Sequence, residues 1–231
     1  MTASAHASID RPQRADARRN RERVLVAAEE LFAEQGLRVQ MADVAQRAGV
    51  GVGTVCRNFP TKDELIGALL DDMLTPLAVA SEAALADPDP AAGLRSYVEA
   101  MADLQARSRG LAEQMSAQFE HDQLPVKLTL RRNVAAILRR AQDAGAVRRD
   151  IGPADLALLF CGIAQSAVLA GHVGAVQRRR YLTIVLDGLR PAAPTPLPGR
   201  PLGWADLARA RAVTGRAGSG STTKAGWAVM R

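Results

Sequence analysis

The chain is short of several things at once. Aromatic residues make up 3% of its 231 positions, and there are only two cysteines and three histidines. Few aromatics, together with runs dominated by Ala, Leu, Arg and Glu, favour helices over strands. Cys56 and Cys161 lie in unrelated stretches, which excludes a disulfide framework and makes a reducing cytoplasm the default compartment. His6, His121 and His172 are far apart, with no cysteine or acidic neighbour at ligand spacing, so no metal is expected. No Ser-His-Asp or paired-carboxylate pattern stands out, and nothing points to an enzyme or to a cofactor. Long apolar runs are also missing. Leu156 to Gly171 is the most apolar, but with Gln165 and Ser166 inside it falls short of the ~20 residues that span a bilayer, and it reads as a buried helix. The N-terminal stretch has no apolar core and excludes a secretory signal.

Charge, by contrast, is unevenly distributed. Residues 1–62 carry ten Arg/Lys against seven Asp/Glu, residues 63–190 fourteen against sixteen, and residues 191–231 six against one. The two ends are basic and the middle is not. A protein that touches a polyanion with one end while its body does something else has this distribution.

The stretch Val39 to Lys62 organises the rest. It reads as two short helices joined by a tight turn. Val44, Ala45 and Ala48 form the inner face of the first helix. Gly49 supplies the positive φ of the turn, Val50 packs beneath it, and Val55 and Phe59 anchor the second helix. A small residue at 45 lets the second helix cross closely, and Val55 locks the pair. Such a locked pair can present its second helix to a DNA major groove. The triplet Gly49-x-Gly51-x-Gly53 follows a helix and lacks the Walker lysine, which excludes a phosphate-cradling nucleotide loop.

With the run from Arg23 to Gly36 before it and Phe59-Pro-Thr-Lys-Asp-Glu-Leu65 after it, this segment resembles the DNA-binding domain of TetR-family transcriptional regulators. The likeness is strong over about residues 19–70. A weaker likeness, carried by Ala141 to Asp150, the IGPADLALLF that follows and Tyr181 to Pro191, is to the C-terminal domain of the SbtR-like subgroup. The expected fold is therefore all-α: a three-helix helix-turn-helix domain, then a helical bundle for ligand binding and dimerisation.

Taken in order, residues 1–14 are expected to be a disordered arm, 15–61 the DNA-binding domain, 62–190 the effector-binding and dimerisation domain, and 191–231 a Pro/Gly-rich basic tail. The first helix is expected from Asp16 or Ala17 to about Glu34. Arg18, Arg19, Arg21 and Arg23 crowd its first turns against the helix dipole, as a solvated lead-in or as DNA contacts. Thr61 caps the helix that follows the motif, and Pro76 predicts a kink near Met73–Leu74. Further helices are expected over Ala91–Arg107, Gly110–Phe119, Pro125–Ala144, Pro153–Ala170 and Gln177–Leu189. The tail cannot bury enough apolar surface to fold alone, although Gly203 to Val213 has the pattern of one short helix.

The TetR resemblance implies base contacts from Val52, Gly53, Thr54 and Arg57. It implies phosphate contacts from Gln40, Cys56, Asn58 and Lys62, with Gly51 and Phe59 completing the set. Two positions depart from the family: Cys56 stands where Tyr is common, and Asn58 where His or Tyr is common, so backbone contacts should be fewer or shifted. Cys56 reads as a small filler or as a redox sensor. Arg57 reads as a guanine reader or as a phosphate contact. Gln40 replaces the usual Thr or Ser cap and should cap poorly. The resemblance also implies an effector pocket, for which Met101, Leu104, Met115, Gln118, Phe119, Leu128 and Cys161 are candidate walls; the same residues would serve as ordinary core. The apolar last helices, through Leu159, Phe160, Ile163, Ala167, Leu182, Val185 and Leu186, suit a four-helix dimer interface. The expected partners are a near-palindromic double-stranded DNA operator, a small-molecule effector and a second copy of the chain, with no membrane. The sum is a homodimeric repressor released by its effector; the alternatives are a DNA-binding regulator without a small-molecule ligand, and a helical binding module or enzyme that does not bind DNA.

Overall fold

The structure, a computed structural model, describes residues 10–107, 124–169, 175–192 and 195–209. The described residues are helical with no strand. The helices are α1 (Asp10–Gln35), α2 (Met41–Ala48), α3 (Val52–Asn58), α4 (Lys62–Ala86), α5 (Pro90–Arg107), α6 (Pro125–Asp143), α7 (Pro153–Leu169), α8 (Ala175–Gly188) and a short α9 at 204–209. None of them is long and apolar enough to cross a membrane. The helix expected over Gly110–Phe119 lies outside the described residues.

Two apolar clusters organise these helices. The first joins α1, α2, α3 and the start of α4, with Phe32, Val44, Val55 and Leu65 each at most 1% exposed. The second joins the rest of α4 to α5, α6, α7 and α8 around Val98, Ile137, Leu138 and Phe160. Met73 of α4 and Leu124, just before α6, pack against both clusters, so α4 is one uninterrupted helix shared by head and body. It runs through Pro76, which cannot donate to the Asp72 carbonyl; one residue earlier, the Thr75 hydroxyl donates to the carbonyl of Asp71 at 2.7 Å.

The far half of α4 is pinned to α6 by polar groups. Asn133 Nδ2 donates to Ser81 Oγ at 2.8 Å, with both residues buried, and Ser81 Oγ donates to the Ala78 carbonyl. The Arg140 guanidinium binds the carbonyls of Ala84, Leu85 and Asp87, where α4 runs out of internal donors. A cation against the last carbonyls of a helix complements both its dipole and its orphan acceptors.

Two expectations about the termini are corrected. Residues 10–14 belong to α1 rather than to a disordered arm. Pro12 sits in the first turn, where its missing N–H costs nothing, and the Arg, Gln and Ala around it are good helix formers. Residues 195–209 are likewise not a loose tail. They run back over the body as a strap: Arg148 Nη2 donates to the Thr195 carbonyl at 2.6 Å, and Leu197 N–H donates to Asp150 Oδ2 at 3.3 Å. Leu202 N–H donates to Asp155 Oδ2 at 2.9 Å, and its carbonyl accepts from Ala154 N–H at 3.2 Å. Trp204 Nε1 donates to the Arg131 carbonyl at 3.1 Å, and its ring lies 5.7 Å from the Arg131 guanidinium. Gly152 makes room for the strap, since a Cβ there would stand 2.2 Å from the Leu202 carbonyl oxygen.

Candidate nucleic-acid interface

The pair α2–α3 is locked by small contacts. Ala45 and Val55 are at most 1% exposed, and Gly49 sits in the left-handed region at φ 64°. Val50 N–H returns to the Ala45 carbonyl at 3.0 Å and Gly49 N–H to the Gln46 carbonyl at 3.1 Å, which closes α2. At the other end of α2 the side chain of Gln40 does not cap. Its Nε2 donates to the Arg38 carbonyl, and the carboxylate of Asp43 reaches back to the Gln40 N–H at 2.8 Å. The poor cap expected at Gln40 is thus offset from three residues further on.

On α3 the outward residues are Gly51, Val52, Gly53, Cys56 and Arg57, with Thr54 and Asn58 half-buried. Val52 is 47% exposed, unusual for a valine. The Arg57 side chain folds back along the helix, so that its Nη2 would lie 3.8 Å from a Cβ at Gly53. No hydrogen bond, ion pair or ring contact among the described residues engages its guanidinium. Asn58 Nδ2 is already donated to the Thr54 carbonyl at 2.8 Å. Lys62 is half-buried, its ammonium 5.9 Å from the Phe32 ring. Phe59 must be removed from the contact set: at 2% exposure its ring is core, because a large apolar side chain at the end of so short a helix is worth more inside the head. Cys56 is an exposed free thiol.

Arg18, Arg19, Arg21 and Arg23 of α1 have partners within the chain. Arg23 Nη2 donates to the carbonyls of Ala48 and Gly49, the latter at 3.2 Å, and so caps the C-terminus of α2. Arg21 lies over the Phe59 ring at 5.1 Å, Arg19 pairs with Asp16, and Arg18 pairs with Glu22. Arg47 bridges α2 to α1 through Glu34 (2.9 Å) and Glu30 (3.1 Å), and its hydrogen bonds hold the Glu34 carboxyl below the ordinary range. Of these four arginines, Arg21 stands at the end of α3, over Phe59; the sequence alone offers no reason to prefer it.

This head matches the family description "Bacterial regulatory proteins, tetR family" over residues 24–69, and the body matches "Transcriptional regulator SbtR-like, C-terminal domain" over residues 89–191. A probable HTH-type transcriptional regulator of Pseudomonas putida, ArpR, is 30% identical over 173 residues, covering 69% of this chain and 80% of its own. The chain belongs to the TetR family. A TetR regulator from Mycobacterium vanbaalenii has a solved structure that is 32% identical, covers 78% of this chain and 99% of that one, and superposes with a TM-score of 0.53. An HTH-type transcriptional repressor of Mycobacterium tuberculosis is 47% identical over 55 residues, which is 23% of this chain and 29% of the relative. The match thus spans under a third of the length of the first curated relatives.

In this TetR-family chain the expected effector walls are only partly brought together. Leu104 is buried and Met101 half-buried, both against the body cluster. Leu128, 45% exposed, faces outward from α6 and does not join them. Met115, Gln118 and Phe119 lie outside the described residues, as does the side chain of Cys161. The dimer set is also divided. Phe160 and Leu182 belong to the protomer's own core, at 3% and 5% exposure, and Ile163, Val185 and Leu186 sit at its edge. Leu159 faces out, as do Leu158 of α7 and Tyr181 and Ile184 of α8, which are not in the expected set. The side chain of Ala167 is outside the described residues.

Proposed function

We propose that this TetR-family regulator is a sequence-specific, homodimeric transcriptional repressor, released from its operator by a small apolar or amphipathic effector. The exposed, unengaged Arg57 on a helix rigidly locked by Ala45, Gly49 and Val55 is the observation that carries the DNA-binding part. In this reading residues 15–61 form the DNA-binding domain and 62–190 the effector and dimerisation domain. Val52, Gly53, Thr54 and Arg57 meet base edges, while Gln40, Cys56, Asn58 and Lys62 meet phosphates. A guanidinium suits guanine O6 and N7 in the major groove. Two such helices about 34–36 Å apart read successive major grooves of a near-palindrome. Met101 and Leu104 form part of the effector wall, and the name of the mycobacterial relative, a repressor, supports the sign of regulation.

The test is selection of bound sequences from random duplexes, followed by binding assays with wild type and Arg57→Ala. The expected result is one enriched near-palindrome and a loss of about 1–3 kcal/mol that relaxes a single base position. A uniform loss across sequences would move Arg57 to the phosphate backbone. Equal, weak binding of every duplex would sink the reading. Release by effector is tested by thermal shift against a metabolite library, where a hit that also frees the operator is expected.

A further inference from the structure

The strap at 195–209 lies C-terminal to both family-matched segments, so the family likeness does not explain it. Its placement is specific. It borders a groove of about 650 Å³ whose other walls are α7, through Leu158, Leu159 and Gly162, and α8, through Val185 and Gly188; Leu197 and Pro198 of the strap complete the lining.

Nine large apolar side chains are exposed among the described residues, and five of them are Leu158, Leu159, Tyr181, Ile184 and Leu197. Tyr181 and Ile184 follow helical spacing to Gly188, which lines the groove. Apolar exposure is therefore concentrated on one face made of two helices and the strap. Exposed apolar patches of this kind mark association sites.

The charged groups on the rim are engaged within the chain. Arg148 forks onto Asp150 at 2.6 and 2.7 Å, Arg200 pairs with Asp206 at 2.9 Å, and one oxygen of Asp155 accepts the N–H groups of Gly152 and Leu202. The lining sets Arg148 and Arg200 against Asp150 and Asp155, and so carries no net charge. A two-fold contact lays the same patch against itself, and an apolar surface without net charge does so without setting like charges against each other.

We propose that the strap is part of the surface on which a second copy of this chain docks, with Leu197 and Pro198 extending the α7–α8 face. The inference rests on the reading of that face as the dimer interface. Gly152 and Asp155 are then positioning residues, since they hold the strap at the edge of the contact without touching the partner.

The test measures dimer dissociation of the full chain by sedimentation for three variants. Leu159→Gln probes the helices, Leu197→Gln probes the strap side chain while keeping the Leu197 N–H anchor, and Gly152→Ala displaces the strap as a whole. Because symmetry counts each loss twice, Leu197→Gln should weaken the dimer by about tenfold or more. Gly152→Ala should do the same while raising hydrogen exchange over 195–209. If Leu159→Gln weakens the dimer and Leu197→Gln leaves it as in wild type, the strap proposal is overturned and the interface reading stands. If Leu159→Gln has no effect either, both go. A monomeric wild type carrying a small apolar molecule in the groove would also overturn it.

Discussion

Arg23 separates a folding role from a DNA-binding role in one residue. Its guanidinium bonds the carbonyls of Ala48 and Gly49, where α2 has no further N–H groups of its own. Gly49 is adapted to the same contact: its φ of 64° disfavours a side chain, and a Cβ there would stand 2.8 Å from Arg23 Nη2. Hydrogen bonds from a charged donor contribute about 1.5–3 kcal/mol and a cation at a helix C-terminus about 0.3–1 kcal/mol. Partial exposure discounts the sum, so Arg23→Ala should cost about 1–2 kcal/mol. For a chain of this size that corresponds to a fall in Tm of about 2–8 °C. Operator binding, measured well below Tm across a salt series, should keep the wild-type log–log slope, because no phosphate contact has been removed. The opposite result refutes the reasoning: an unchanged Tm with a slope shallower by about 0.9, which is the loss of one neutralised phosphate.

Two further outcomes test the body. Ser81→Ala should cost about 1–3 kcal/mol in urea unfolding, because it strands the buried Asn133 amide; Ser81→Ala with Asn133→Leu should recover most of that, and a double variant no better than the single would refute the pairing. Hydrogen bonds from Arg148, and then from the Leu197 backbone, hold the Asp150 carboxyl down to about 2. A depressed carboxylate stabilises fully above its unfolded pKa and loses that contribution as pH falls through the folded value. The strap should therefore stay docked on acidification to about pH 4 and loosen progressively towards pH 2. Trp204 fluorescence in a Trp227→Phe background reads this, and release at pH 5 would contradict it.

The recognition unit was legible because its logic is local. Ala45, Gly49 and Val55 fall within eleven residues and each answers a steric demand of one turn. The α1 arginines were not, since a sequence displays the charge of Arg23 but not an acceptor twenty-five positions away. In the last helices, almost every residue from Leu156 to Ile163 is apolar, so periodicity could not separate Leu156 and Phe160, which face the core, from Leu158 and Leu159, which face out. The strap escaped for a different reason. Its proline-rich composition correctly implies that it cannot fold alone, and its anchors are acceptors on Asp150 and Asp155, far away in the chain. One clue was present: Gln-Met-Ala-Asp43, Gly-Pro-Ala-Asp155 and Gly-Trp-Ala-Asp206 each start a helix in which the aspartate accepts the N–H three residues before it. A helix start in the tail was written in the same local code as two in the folded domains.

The grip of Arg140 on the last carbonyls of α4 makes that helix a lever with a fixed fulcrum. About twenty residues separate Ser81 from the first turn at Lys62, an arm of roughly 30 Å at 1.5 Å per residue. A tilt of about 5° at the clamped end would carry the other end through roughly 2.5 Å, close to the length of a hydrogen bond. Motion too small to disturb the packing around Asn133 is thus enough to misalign a reading head.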